Sequence, residues 1–268
     1  MRRLLALVIL VVLAALVASA RAAAAPPDSG FVIYKDLRAR AVTEVRDTRG
    51  HLVSSEGLFG NPGNGLPACL DPRHRSMGPR WRSVPGFLVN RSSVPLYLDA
   101  GAAIGQLVAG NQTWQSPFTT DCLFTLRPAR YSAVYAGETA ATASLADGVT
   151  LDGLNVVEFR SLAGTICDGA LACTIIDYER GRIIEVDMLF ESDLGRFGYS
   201  DLWTTDQTTW IGPTEGAFAL VDVAAHEFGH FAGLDHVDRS PNLTMYPLIH
   251  DGMQTLGLGD MRGLVARY

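Results

Sequence analysis

The segment His226-Glu227-Phe228-Gly229-His230-Phe231-Ala232-Gly233-Leu234-Asp235-His236 packs three of the six histidines of a 268-residue chain into one short stretch. His226 and His230 are four positions apart, so on a helix both imidazoles leave the same face at metal-chelating separation. Glu227 follows the first of them and can reach a water held by the metal instead of the metal itself. Gly233 stands three residues beyond His230, where a glycine can take the left-handed conformation and end the helix. That turn would bring His236 round as a third nitrogen ligand. Three neutral imidazoles leave one corner of a tetrahedral Zn²⁺ free, which is the arrangement of a catalytic site. A bland reading, a surface helix whose histidines bind nothing, sits poorly with such clustering. A purely structural zinc site would be expected to recruit a fourth protein ligand.

Outward from this segment, periodicity supplies the framework. A helix is expected from Gly216, with Leu220, Ala224, Phe228 and Phe231 on its buried stripe. Arg182 to Phe190 reads as the clearest strand, with Ile184, Val186, Met188 and Phe190 on one face and Glu185 and Asp187 on the other. Further strands are expected at Gly86–Asn90, Arg130–Tyr135, Leu154–Arg160 and Cys173–Tyr178, and a helix at Leu98–Trp114. A last helix, Asp260–Tyr268, places Met261, Leu264, Val265 and Tyr268 on one side. Strands followed by two closing helices give an α+β order. Residues 26–80 are rich in Gly, Pro, Arg and Ser, with a short apolar stretch at Phe31–Tyr34 and a loop-like Gly57–Gly65, and read as an N-terminal extension or propeptide. The globular pattern covers 81–268.

Composition narrows the class. Hydrophobic residues make up 48% of the chain and charged ones 19%, enough apolar material for a sizeable core and against wholesale disorder. The formal charge is −6, which offers no electrostatic reason for nucleic acid or an anionic membrane surface as partner. Residues 1–25 combine Arg2 and Arg3 with an apolar run from Leu4 to Ala18 and small residues after it, the pattern of a cleaved secretory signal peptide. That run is short of the roughly 20 residues that cross a bilayer as a helix. A secreted, extracellular chain free of the membrane after cleavage is therefore expected. Four cysteines follow the leader: Cys69, Cys122, Cys167 and Cys173. An even number in an exported chain favours two disulfides, with three pairings open. A turn signal at Asp168-Gly169 makes a short pin between Cys167 and Cys173 plausible, which leaves Cys69 with Cys122. The spacings fit no four-thiolate zinc finger or ribbon.

The chain resembles the metzincin metallopeptidases, and within them the matrixin-like secreted members. The resemblance rests on HEFGHFAGLDH (226–236), on Asn242-Leu243-Thr244-Met245-Tyr246-Pro247, which looks like the family's Met-turn, on the closing LGLGDMRGLVARY, and on RIIEVDMLFES. A weaker likeness reaches back to about Cys69. It implies a metzincin-like twisted mixed β-sheet with an active-site helix, a Met-turn and a C-terminal helix. It also implies a secreted zinc endopeptidase with one catalytic Zn²⁺ on His226, His230 and His236, Glu227 as general base and Met245 as a floor beneath the imidazoles. An extended protein or peptide substrate would add to an exposed edge at Val186, Asp187, Met188, Leu189 and Phe190. Tyr246 and Pro247 would begin the wall of its primary pocket. A monomer is expected.

Some features depart from the family pattern. The segment Leu66-Pro67-Ala68-Cys69-Leu70-Asp71-Pro72 lacks the Arg and Gly of the matrixin latency motif, so Cys69 is expected in a disulfide ahead of a role as a zinc-blocking thiolate. His51, His74 and His250 are not spaced for a second zinc. Calcium (Ca²⁺) sites are common in the family. Asp187, Asp193 and Asp201 are the acidic residues that could contribute, but such residues in a polar loop are usually just solvated, and none is assigned. Two other readings stand beside the endopeptidase: a zinc amidase acting on cell-wall peptides, and a catalytically silent binding module on the same scaffold. The intact Glu227 argues against the second, since a retired enzyme has no chemical need for that carboxylate.

Overall fold

The computed structural model describes residues 27–36, 41–58, 65–115, 122, 129–147, 150–198, 202–206, 217–250 and 252–268. The expected signal peptide, Gly216 and Asp201 lie outside them. An eight-stranded mixed sheet carries the α+β fold. In chain order its strands are β1 (Ser29–Asp36), β2 (Ala41–Arg46), β3 (Leu52–Leu58), β5 (Gly86–Asn90), β6 (Val134–Thr139), β7 (Val156–Arg160), β8 (Ala172–Glu179) and β9 (Arg182–Glu191), the short β4 (Arg75–Ser76) lying outside it. Their spatial order is β3-β2-β1-β8-β9-β7-β5-β6. The half β9-β7-β5-β6 is parallel, whereas β8 and the β1–β3 meander run antiparallel to their neighbours.

Among the described residues three α-helices complete the fold: α1 (Ala100–Thr113), α2 (Leu220–Phe231) and α3 (Leu258–Arg267). The expected helix at 98–114 and the last helix are present within two residues of the reading. The zinc-motif helix starts at Leu220, preceded by β11 (Phe218–Ala219), which pairs in parallel with β10 (Trp203–Thr204). Asp99 caps α1 by accepting from the Ala102 amide. One sheet face supplies Phe87, Val89, Val157, Phe159, Val186, Met188 and Phe190 to a core shared with Leu107 of α1 and Val223, Ala224, Phe228 and Phe231 of α2. The other face buries Phe31, Ile33, Ile175 and Leu189 under Leu145, Leu162 and the Cys167–Cys173 disulfide. Cys69 is bonded to Cys122, so its sulfur is not free for a metal.

Two readings of β9 are corrected. A bulge opposite Asp177/Tyr178 breaks the alternation, so Ile183, not Ile184, joins Val186, Met188 and Phe190 in the main core. Nor is β9 an edge. It lies between β8 and β7, and Val186, Asp187, Met188, Leu189 and Phe190 are all fully buried. The acidic positions suggested a solvent face, but Asp187 turns both carboxylate oxygens onto backbone amides, Oδ1 accepting from Val156 and Oδ2 from Leu145. An extended peptide therefore has no place on this strand. The antiparallel β8 would be the free edge of the β5–β9 group, and β1 occupies it.

Candidate metal centre

Every residue of α2 is buried, so this helix runs through the molecule, not over it. Two indoles fix its C-terminal half: Trp114 Nε1 donates to the Ala225 carbonyl at 2.7 Å and Trp81 Nε1 to that of Phe231 at 2.8 Å. The helix ends where glycine was expected to end it. Gly233 has φ +84°, and a Cβ there would lie 2.5 Å from Arg267 Nη2 and 2.9 Å from the Pro79 carbonyl oxygen. The chain then enters β12 (Leu234–Asp235), which pairs with β4 and delivers His236. Asp235 is held by Arg75 at 3.3 Å and accepts from the His236 amide.

The three imidazoles meet with ring centroids 4.5–5.2 Å apart. His226 Nδ1 donates to the Thr244 carbonyl at 2.6 Å and His230 Nδ1 to that of Leu234 at 3.0 Å. Those bonds leave the Nε2 lone pairs of both rings pointing inward. His230 Nε2 lies 3.1 Å from His236 Nε2, and His226 Nε2 is buried with no hydrogen-bond partner. Imidazole nitrogens that converge out of solvent, one of them without a partner, are costly without a cation to share. With Zn–N bonds of about 2.0–2.1 Å, tetrahedral ligand atoms stand about 3.3 Å apart, so the residues fit zinc.

A fourth donor, absent from the sequence reading, completes the group. Asp36 Oδ1 lies 2.7 Å from His236 Nε2 and 3.4 Å from His226 Nε2, while Oδ2 lies 3.7 Å from His230 Nε2. Among the described residues, Asp36, His226, His230 and His236 form the cluster able to share one ion, and all four are buried. Burial opposes the Asp36 charge, but the His236 and His226 imidazoles hold its carboxyl well below the usual range. Burial lowers His230 far below an ordinary histidine, and the neighbouring rings add to that, which keeps it a neutral ligand.

Glu227 sits beside this group, buried, with Oε2 receiving the Thr174 hydroxyl of β8 and Oε1 without a partner. Burial, and then the Asp36 charge, raise its carboxyl well above the ordinary value. Met245 is buried beneath the motif helix. Its side chain passes under Gly229, where a Cβ would come within 2.2 Å of the sulfur and 2.6 Å of Trp114 Cζ2. Asp260 of α3, also missed, ties this turn by accepting from the Thr244, Met245 and Gly257 amides. Tyr246 and Pro247 are buried. Asp193 caps the Gly195 amide, and neither it nor Asp187 joins the cluster, so calcium finds no support there.

The sequence marked Phe31–Tyr34 only as a short apolar stretch of an N-terminal extension, and 200 residues separate Asp36 from His236. Thr174 carried no distinguishing signal, since β8 also bears Asp177 and Glu179.

Among known families, the Matrixin family matches residues 184–268, about a third of the chain. That stretch holds most of β9, the motif helix α2, the segment at Met245 and α3. No curated protein matches the chain. Its mixed sheet, buried motif helix and C-terminal helix agree with a metzincin fold.

Proposed function

We propose that this matrixin-like metzincin is a secreted endopeptidase that hydrolyses peptide bonds with Glu227 as general base. The observation that carries the reading is the placement of a buried, proton-attracting carboxylate beside three imidazoles whose Nε2 atoms converge. His226, His230 and His236 would hold one Zn²⁺. When bound, that ion supplies Lewis-acid polarisation of the scissile carbonyl and makes water near pH 7 a usable nucleophile. Glu227 would take the proton that this water must lose, because its carboxyl lies enclosed beside the converging imidazoles with one oxygen unengaged. The same carboxyl then returns the proton to the departing amine. Thr174 keeps one carboxylate oxygen engaged, and the other is left without a partner to carry the proton. The Thr244 and Leu234 carbonyls fix the ring orientations of His226 and His230, and the Asp260 carboxylate fixes the Thr244 segment in turn.

Two disulfides and the leader at 1–25 support export, and residues 81–268 would form the catalytic unit behind an N-terminal extension. Among the described residues no helix is long and apolar enough to cross a membrane.

Glu227→Gln decides the mechanism. Zinc content should stay at one per chain, while turnover of a casein-derived peptide by the mature form falls about 10²–10⁴-fold. Undiminished turnover by the zinc-loaded variant would sink it. A second reading is favoured by Asp36: a closed, four-ligand structural zinc site with no turnover at all. In that case Glu227→Gln would change neither metal content nor any hydrolysis.

A further inference from the structure

The β1–β3 meander lies where a substrate would have to lie. β1 pairs antiparallel with β8 along its whole length, from Ser29 opposite Glu179 to Asp36 opposite Ala172, and the Leu171 amide donates to the Asp36 carbonyl at 2.8 Å. An extended peptide adding to this sheet beside Glu227 would need the same edge, since Thr174 of β8 is the residue that holds the Glu227 carboxyl. The side chains of the meander seal the chamber as well. Tyr34 stacks on the His230 ring at 3.8 Å with the planes 7° apart, and Thr43 of β2 stands 3.4 Å from His236 Nδ1. His226, Glu227, His230 and His236 are all fully enclosed as a result.

Within the meander, burial falls away from β1 to β3. The side chains of β3 from Leu52 to Gly57 are exposed, and a cavity of about 760 Å³ separates the meander from Arg75–Pro79. Its buried grip on the body is concentrated in Phe31, Val32, Ile33, Tyr34 and Asp36 of one strand. Both disulfides and the parallel half of the sheet lie beyond it in the chain.

We infer that Asp36 is the fourth ligand of the metal, and that the β1–β3 meander is an internal inhibitor that keeps the centre shut until β1 leaves the edge of β8. This rests on the zinc-peptidase reading above. The role expected of a latency cysteine falls to a carboxylate, because Cys69 is committed to Cys122.

Cobalt(II) absorption of the full-length chain tests it, with acetohydroxamate as a small probe of an open corner. The wild-type spectrum should not move on adding the probe. The Asp36→Ala spectrum should shift, and its cobalt should dissociate faster by at least the ~10–100-fold attached to outer-shell partners. Asp36→Asn, close in shape, should gain the same response and stands in if the alanine variant fails to fold. Limited trypsin digestion of wild type, followed in the same cuvette, should bring on the response as residues 29–36 are lost with cobalt still bound. A wild-type spectrum that responds as strongly as the variants, or variants that respond no more than wild type, overturns the assignment alone. Loss of residues 29–36 with cobalt retained and no response overturns the inhibitor role. A wild-type chain that binds no cobalt overturns both the assignment and the peptidase reading beneath it.

Discussion

Asp187 shows how a single carboxylate can shape the pH response of the fold. Burial, opposed by its two amide bonds and reinforced by Glu185, pushes it up to about 7. An unfolded aspartate titrates near 3.9. Between about pH 4 and 7 the folded chain therefore keeps a proton that the unfolded chain has released, so stability falls as pH rises through that window and levels off above it. Asp187→Asn should remove much of this slope in urea melts taken at pH 4.5 and 7.5. A residual slope is expected from Asp177, which burial and Glu185 push up to about 6. The variant should also lose about 1–3 kcal/mol at pH 4.5, because its amide cannot accept from both Val156 and Leu145. An unchanged difference between the two pH values would refute the account.

At the scale of elements, the helix and the turn beneath it are fitted through one glycine. Gly229→Ala would drive a methyl into Met245 Sδ and Trp114, and neither backbone can yield without moving an imidazole or the indole bond to Ala225. A loss of about 1–3 kcal/mol is expected, together with a shifted cobalt spectrum. Retention of both stability and spectrum would mean that Met245 is not packed as described. How far elements were legible in the sequence depended on whether their partners were local. Helix α2, its end at Gly233 and the convergence of His226, His230 and His236 follow from spacings within eleven residues, so they could be read directly. The position of β9 could not, because Glu185 and Asp187 look like a wet face until the amides that satisfy them are found 30 or so residues away. Asp36 was invisible for the same reason on a longer range: a short apolar run at Phe31–Tyr34 in an apparent extension says nothing of the sheet edge it joins.

Over the whole molecule, stability is unevenly spread. β7, β8 and β9 are paired on both sides and buried on both faces, whereas β3 is an exposed edge and β2 is only half-buried. Native-state hydrogen exchange should show amides of β2 and β3 opening well below the global unfolding free energy, and those of β7–β9 only with it. Uniform protection across all eight strands would argue against a detachable meander.

The complete enclosure of the four donor side chains has a biosynthetic corollary. With these four side chains shut off from solvent, an ion exchanges only when the strands around it part, so both uptake and release run at the pace of that local opening. A cation taken aboard during folding would be the one the finished protein keeps longest.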